Sequence, residues 1–165
     1  MKRTTFGWFF AVCAIVSFGG CGNAGQEQQR QVAAAVPLDQ TFKQEGDYDV
    51  HFNALRTDQL TPEVARAYGI QRATNRVMLN VTVLKKEAQN AARKPVEASV
   101  EVDAYNLNGQ LKNLEMRRVS EGEAIYYIGE VSISGNEILV FDISVTPSGE
   151  TTPIQVKLKR EFFAN

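Results

Sequence analysis

The sequence predicts an all-β domain: an immunoglobulin-like antiparallel β-sandwich of about seven strands, with one short helix between the first two. Three observations predict it. Apolar residues recur at every second position in run after run from Asp47 to Phe162, the period of a strand with one buried face. Gly and Asn fall between those runs, where tight turns need residues that tolerate positive φ. The roughly 125 residues from Thr41 to Asn165 are enough to bury about two thirds of the unfolded surface in one core.

The first strand is Asp47–Leu55. Tyr48, Val50, Phe52 and Ala54 face one way, and Asp47, Asp49, His51 and Asn53 the other. A helix over Thr61–Tyr68 follows. Thr61 suits the N-cap, Pro62 the first helical position, and Glu63 the positive end of the dipole. Val64, Ala65 and Tyr68 share a face, and Gly69 can end the helix in the left-handed region. The second strand, Arg76–Leu84, sets Val77, Leu79, Val81 and Val83 against Met78, Asn80 and Thr82. In Val96–Tyr105, Val96, Ala98, Val100, Val102 and Ala104 oppose Glu97, Ser99, Glu101 and Asp103.

Asn106-Leu107-Asn108-Gly109 reads as a turn into a strand over Leu111–Val119, where Leu114 and Met116 point together. Ser120-Glu121-Gly122-Glu123 turns into Ala124–Ser134, with Ile125, Tyr127, Gly129, Val131 and Ile133 against Tyr126, Ile128, Glu130 and Ser132. Ile138–Val145 is nearly unbroken apolar sequence, the mark of a central strand. Ile154–Phe162 closes the domain, with Phe162 and Phe163 sealing the core. No Trp and no Cys fall between Thr41 and Asn165. The antibody-type core of a disulfide packed on Trp is therefore excluded, and an open β-barrel is the alternative architecture.

A targeting segment precedes the domain. Lys2 and Arg3 are followed by the apolar run from Phe6 to Phe18, then Gly19, Gly20 and Cys21. A basic start, a short apolar stretch and small residues define a secretory signal peptide over residues 1–20. As a helix that run spans roughly 20 Å, short of the ~30 Å hydrocarbon core. Phe18-Gly19-Gly20-Cys21 resembles a bacterial lipobox, although Phe18 stands where that motif favours Leu. The resemblance implies acylation of Cys21 and attachment to the membrane. Gly22 replaces the Asp that marks inner-membrane retention, which points to the outer membrane with the domain facing the periplasm. The alternative is a plain cleaved signal, cut near Ala24 or Ala33–Ala35, and a soluble periplasmic protein. Residues 21–40 are rich in Gln, Ala and Gly without an aromatic, a flexible tether with a reach of about 24 Å.

Composition excludes several function classes. With 18 Lys and Arg against 19 Asp and Glu, the chain lacks the basic excess of a nucleic-acid binder. Two cysteines make neither a disulfide scaffold nor a four-Cys zinc site. No phosphate-loop, dinucleotide or C-x-x-C motif is present. No cofactor or metal is implied.

His51 is the single histidine. Asp49, His51 and Asn53 fall on one strand face at period two, about 7 Å apart. Such a row suits a small polar ligand or a weak metal site, or serves as the solvated face of an edge strand. A catalytic reading would bring Ser120, Ser132 or Ser134 to His51, without a nucleophile-elbow pattern to support it. Glu121 with Glu123, and Glu101 with Asp103, read as solvated charge. Lys85-Lys86, Arg93-Lys94 and Arg117-Arg118 are local basic pairs suited to solvent or to lipid phosphate. Tyr105, Tyr126 and Tyr127 could form an aromatic patch, but Tyr126 and Tyr127 point to opposite faces.

The stretches YDVHFNAL (48–55), LTPEVARAYGI (60–70), NRVMLNVTVL (75–84) and NLNGQLKNLEMRRVSEGEAIYYI (106–128) resemble the Gram-negative envelope family catalogued as domain of unknown function 4426. The resemblance covers most of residues 45–163. It implies an exported single-domain β-sandwich and transfers no catalytic or ligand residue. The sequence as a whole predicts a non-catalytic binding or accessory lipoprotein with an envelope protein partner. Its alternatives are a small hydrolase or ligand sensor centred on Asp49 and His51, and a periplasmic assembly factor that works by strand addition.

Overall fold

The computed structural model describes residues 40–88 and 92–164. The signal peptide, Cys21 and the tether up to residue 39 lie outside the described residues. The strands are β1 (Phe42–Glu45), β2 (Tyr48–Arg56), β3 (Arg76–Lys86), β4 (Arg93–Pro95), β5 (Ala98–Asn106), β6 (Leu111–Lys112), β7 (Arg117–Glu121), β8 (Ala124–Ser132), β9 (Asn136–Pro147) and β10 (Ile154–Phe163). A 3₁₀ turn (Thr57–Gln59) and one helix, α1 (Pro62–Ala67), join β2 to β3.

All pairings are antiparallel. The first sheet runs β1-β2-β3-β8-β7, with β4 on the far half of β3, and the second runs β10-β9-β5-β6. With the short strands β1, β4 and β6 set aside, the orders are β2-β3-β8-β7 and β10-β9-β5. That is the strand order of an immunoglobulin constant-type sandwich.

The predicted alternation sets the register. Val50, Phe52 and Ala54 on β2, and Val77, Leu79, Val81 and Val83 on β3, are buried together with Leu139, Phe141, Ile143 and Val145 on β9 and Val156 and Leu158 on β10. Two inner tyrosines tie the layers with their polar ends. The Tyr127 hydroxyl accepts from the Ala98 amide at 2.7 Å, and the Tyr48 hydroxyl donates to Glu150 Oε1 at 2.8 Å. Each ring fills core volume while its oxygen keeps a partner.

The helix forms where its capping residues place it. Thr61 Oγ1 accepts from the Val64 amide at 3.3 Å, and Pro62 occupies the first turn. Gly69 follows with φ 63°. A Thr cap of this kind contributes about 1 kcal/mol. The helix buries Ala65 but leaves Val64 exposed, so the predicted three-residue face is narrower than its sequence pattern.

Four expectations need correction. Met78 and Ile128 alternate with core residues and read as outward, yet both are buried in a second cluster with Ala65 and Ile70. The helix covers that half of the first sheet's outer face. Leu111–Val119 is not one strand. Leu111 and Lys112 pair with β5 in the second sheet, and Arg117–Glu121 with β8 in the first. The intervening residues cross between layers, and a Cβ on Gly129 would sit 2.6 Å from Met116 Sδ. Gly129 is thus a site of close approach, as glycine in a strand often is. β1 and β4 were not foreseen because their short charged sequences carry no alternation. Phe162 is core, but Phe163 is 45% exposed.

A polar knot fixes the β5–β6 turn. Asn106 Oδ1 accepts from the amides of Asn108 and Gln110 at 3.1 and 3.0 Å, and its Nδ2 donates to Glu137 Oε1 at 2.8 Å. Lys112 Nζ lies 2.6 Å from the same oxygen, and the Ser134 amide donates to Oε2 at 3.2 Å. Burial pushes the Glu137 carboxyl up, but the bonds from Lys112, Asn106 and Ser134 outweigh it and hold the group below its ordinary value of 4.5. A carboxyl with a depressed folded-state pKa stabilises the fold above its unfolded value and loses that contribution as pH falls through the folded one. Glu137→Gln is expected to flatten the stability loss that sets in as pH falls through and below the carboxyl's ordinary value of 4.5, read from urea midpoints of both proteins.

Candidate functional site

β2 carries Asp49, His51 and Asn53 on the outer face of the first sheet, as their spacing predicts, but the structure gives them three different surroundings. Asp49 is not part of a solvated face. It is 2% exposed and ion-paired with Arg93 of β4. Its row across the sheet is Gln44, Asp49, Leu84 and Pro95. β4 pairs with the end of β3, and its Arg93 side chain reaches across β3 to the carboxylate, which removes Asp49 from any open site. Asp49 Oδ1 accepts no hydrogen bond.

His51 lies one row further along, between Phe42 of β1 and Thr82 of β3. Its ring meets the Phe42 ring at 4.9 Å with a 42° tilt. Asn53 pairs with Asn80 in the next row, and its Oδ1 accepts from Arg160 of β10 at 2.6 Å. Together Thr41, His51, Phe52, Asn53, Asn80 and Thr82 line a shallow concavity of about 230 Å³. Thr82 Oγ1 is committed to the Ile125 carbonyl at 2.6 Å. Asn80 Oδ1 is buried and accepts no hydrogen bond. Sequence reasoning missed Asn80 and Thr82 as site residues. Their signal was present in the outward half of the second strand, but which outward residues stand beside His51 depends on the β2–β3 register.

The other candidates do not assemble with His51. Ser120 lies on β7, Ser132 at the end of β8, and the Ser134 amide serves Glu137. Among the described residues, no group of three His, Cys, Asp or Glu is placed to hold a metal ion. Glu101 and Asp103 are exposed on β5. Glu121 accepts from the Tyr68 hydroxyl at 2.6 Å, and that bond pushes the phenol up to about 12. The basic pairs are spent locally. Arg93 meets Asp49, Lys94 meets Glu87 at 2.5 Å, Arg118 meets Glu97 at 2.7 Å, and Lys85 lies 5.0 Å from the Tyr48 ring centroid. The tyrosines do not form one patch. Tyr127 is core, Tyr126 packs beneath α1 beside Tyr68, and the Tyr105 hydroxyl donates to Asp142 on the second sheet at 2.7 Å.

The Asp49–Arg93 pair makes a sharp prediction. Removing Arg93 strands a buried carboxylate, whereas removing both partners does not. Arg93→Met is expected to cost about 2 kcal/mol, given that Arg93 is partly exposed. The double variant Asp49→Leu/Arg93→Met should recover most of that loss in urea unfolding.

Comparison with known proteins agrees with this architecture. No curated protein matches the chain. A crystal structure of a DUF4426 family protein from Pseudomonas aeruginosa PAO1 is 38% identical, with a TM-score of 0.63, over 75% of this chain and 94% of that one. FetP of uropathogenic Escherichia coli strain F11, expressed recombinantly in the periplasm, is 10% identical with a TM-score of 0.53, over 74% of this chain and 92% of FetP. A copper-bound variant of FetP is also 10% identical, with a TM-score of 0.51, over 73% and 93% of the two chains. At that identity the FetP structures share the fold alone. The family model described as domain of unknown function (DUF4426) matches residues 42–165, and the chain belongs to that family.

Proposed function

We propose that this protein is a non-catalytic binding module of the cell envelope, recognising a partner protein with the outer face of its first sheet. The observation that carries the reading is Asn80, which lines the His51 concavity and whose Oδ1 is buried without a donor. An unpaired buried acceptor costs about 1–3 kcal/mol, and a partner's N–H or O–H group seated there would relieve that cost. The size of the concavity points to the class of occupant. About 230 Å³ is below the roughly 300–1,000 Å³ of small-molecule pockets but accommodates one polar side chain. The non-catalytic reading is supported by the neighbours of His51: Phe42 stacks on it, and the Thr82 hydroxyl is already engaged.

The basic start and apolar run before Cys21 support export, and the lipobox-like residues support acylation there. Thioether-linked and amide-linked acyl chains together anchor firmly, at about 0.8 kcal/mol per buried CH₂. FetP's expression in the periplasm is consistent with a sandwich of this kind working outside the cytoplasm. Gly22, standing where inner-membrane retention uses Asp, supports attachment to the outer membrane, facing the periplasm.

Two measurements test the reading. Palmitate labelling should mark the wild-type protein and be lost in Cys21→Ser; equal labelling of both would overturn the anchor. A photocrosslinking residue in place of Thr41, at the rim of the concavity, should give discrete adducts in intact cells. The same residue in place of Glu101 on the second sheet should give none. Asn80→Leu is expected to leave the urea midpoint unchanged or raised while abolishing the adducts. Adducts that persist in Asn80→Leu would overturn the site.

A further inference from the structure

Three of the four strands that end the sheets are short: β1 has 4 residues, β7 has 5 and β6 has 2, and β6 pairs only with Ala104 and Tyr105 of β5. The fourth is β10, with 10 residues. One side of β10 pairs with β9 along its whole length, and no strand among the described residues pairs with the other. The polar groups on that open side can be assigned. The Gln155 carbonyl accepts from Lys43 Nζ at 3.0 Å, and the Phe163 carbonyl accepts from Arg56, so both point away from β9. Alternate residues of an antiparallel strand present N–H and C=O to the same side. The backbone groups of Lys157, Lys159 and Glu161 therefore face the open edge as well.

That edge looks across a seam to β2, and side chains bridge the seam. Arg160, on the inward row of β10, donates to the Ala54 carbonyl at 2.5 Å and to Asn53 Oδ1 at 2.6 Å. Arg56 and Lys43 reach back from the first sheet to β10. Two concavities lie along this edge. One of about 500 Å³ is lined by Arg56, Arg160 and Phe163 among others. The other, of about 370 Å³, is lined by Lys43, Gln155 and Lys157 among others. Two hollows along one strand suit an extended chain better than a compact ligand.

Charge selects the occupant. β10 carries Lys157, Lys159 and Arg160 against Glu161. Lys157 is matched by Asp142 at 2.8 Å. Among the described residues no carboxylate pairs with Lys159 or Arg160, whose guanidinium bonds only neutral oxygens. A second copy laid antiparallel on this edge would set these cations against one another, and like charges directly opposite destabilise a pair. A carboxylate would give Arg160 an ion pair, with both donor and acceptor charged, in place of bonds to neutral oxygens.

We propose that β10 takes an extended acidic segment of a partner polypeptide as an added strand. The main chain of that segment bonds at Lys157, Lys159 and Glu161, and a carboxylate seats on Arg160. Backbone pairing then supplies affinity and the cations supply selectivity, the usual division in strand addition. Of the His51 concavity Phe52 and Asn53 are shared with this seam, and the proposal stands or falls without His51 and Asn80.

The test joins the probe to the protein, so that a flexible linker gives it an effective concentration in the millimolar range. An eight-residue segment of alternating valine and threonine with two aspartates is fused behind a Gly–Ser linker after Asn165. A matched fusion carries two lysines instead. Amide exchange at Lys157, Lys159 and Glu161 is read by NMR in the unfused chain and in both fusions. The aspartate segment should slow these three amides at least about tenfold, and the lysine segment should not. Lys159→Glu should invert that preference, and Lys157→Glu provides the same reversal if the first variant folds poorly. Equal protection by both segments, or by neither, would overturn the proposal. So would protection already present in the unfused chain that disappears on dilution, which assigns the edge to a second copy, or on deletion of residues 22–39, which assigns it to the chain's own tether.

Discussion

Val77, Leu79, Val81 and Val83 on β3 lie in one buried cluster with Leu139, Phe141, Ile143 and Val145 on β9, and none of the eight has solvent exposure. These are inner strands of their sheets, so their pleat dictates what every neighbouring strand can do. A slip of one residue in the β2–β3 pairing would carry Val50 and Phe52 to the surface and drive Asp49 and His51 into the core. Burial of a Val or Phe side chain contributes about 1.5–3 kcal/mol, so such a slip is excluded several times over. The outward residues are fixed as a consequence. His51 stands beside Thr82, and Asn53 beside Asn80, because the inner residues leave no other register.

The two outer faces then part company. On the first sheet, α1 and the residues just after it lay Ala65 and Ile70 over Met78 and Ile128, while at the far end the Arg93 side chain of β4 reaches across β3 to Asp49. Between these two covers lies the uncovered strip that holds His51, Asn53, Asn80 and Thr82. The second sheet has no such cover among the described residues. Its outer rows are polar, with Asp142 bonded to Lys157 and to Tyr105. Concavity and unpaired acceptor therefore occur on the face where local covers leave a gap between them.

Sequence reading succeeded where local physics decides. Alternation located the long strands, and Thr61, Pro62 and Gly69 located the helix, because a strand's face and a helix's cap are properties of adjacent residues. It failed where partners distant in the chain decide. Nothing near Leu111 announces that residues 113–116 change sheets; the switch follows from which strand each end pairs with. Asp49 resembles its neighbours His51 and Asn53 in sequence, and its burial depends on Arg93 arriving from β4. Met78 and Ile128 looked misplaced on a polar face until α1 was seen to cover them. In the candidate site, His51 and Asn53 were legible from their own strand, whereas Asn80 and Thr82 became site residues only through register.

Sheet edges show the same tension between local chemistry and tertiary demand. A sandwich cannot abolish its edges as a closed barrel does, so each must be managed. Three of the strands that end the sheets here are short. β10 cannot be short, since Val156, Leu158 and Phe162 supply an inner row of the core, and a strand that long presents its full backbone to the seam. Cations are a common guard on such an edge. The guard here has a specific form: Lys43 and Arg56 bond the β10 carbonyls of Gln155 and Phe163 that another strand would use, while Arg160 reaches out to the Ala54 carbonyl of β2. Lys43 and Arg56 already pair with Glu45 and Asp58, whereas Arg160 bonds neutral oxygens alone, so a carboxylate would add an ion pair there. An arrangement that repels a second copy by like charge therefore leaves the same edge open to an acidic strand.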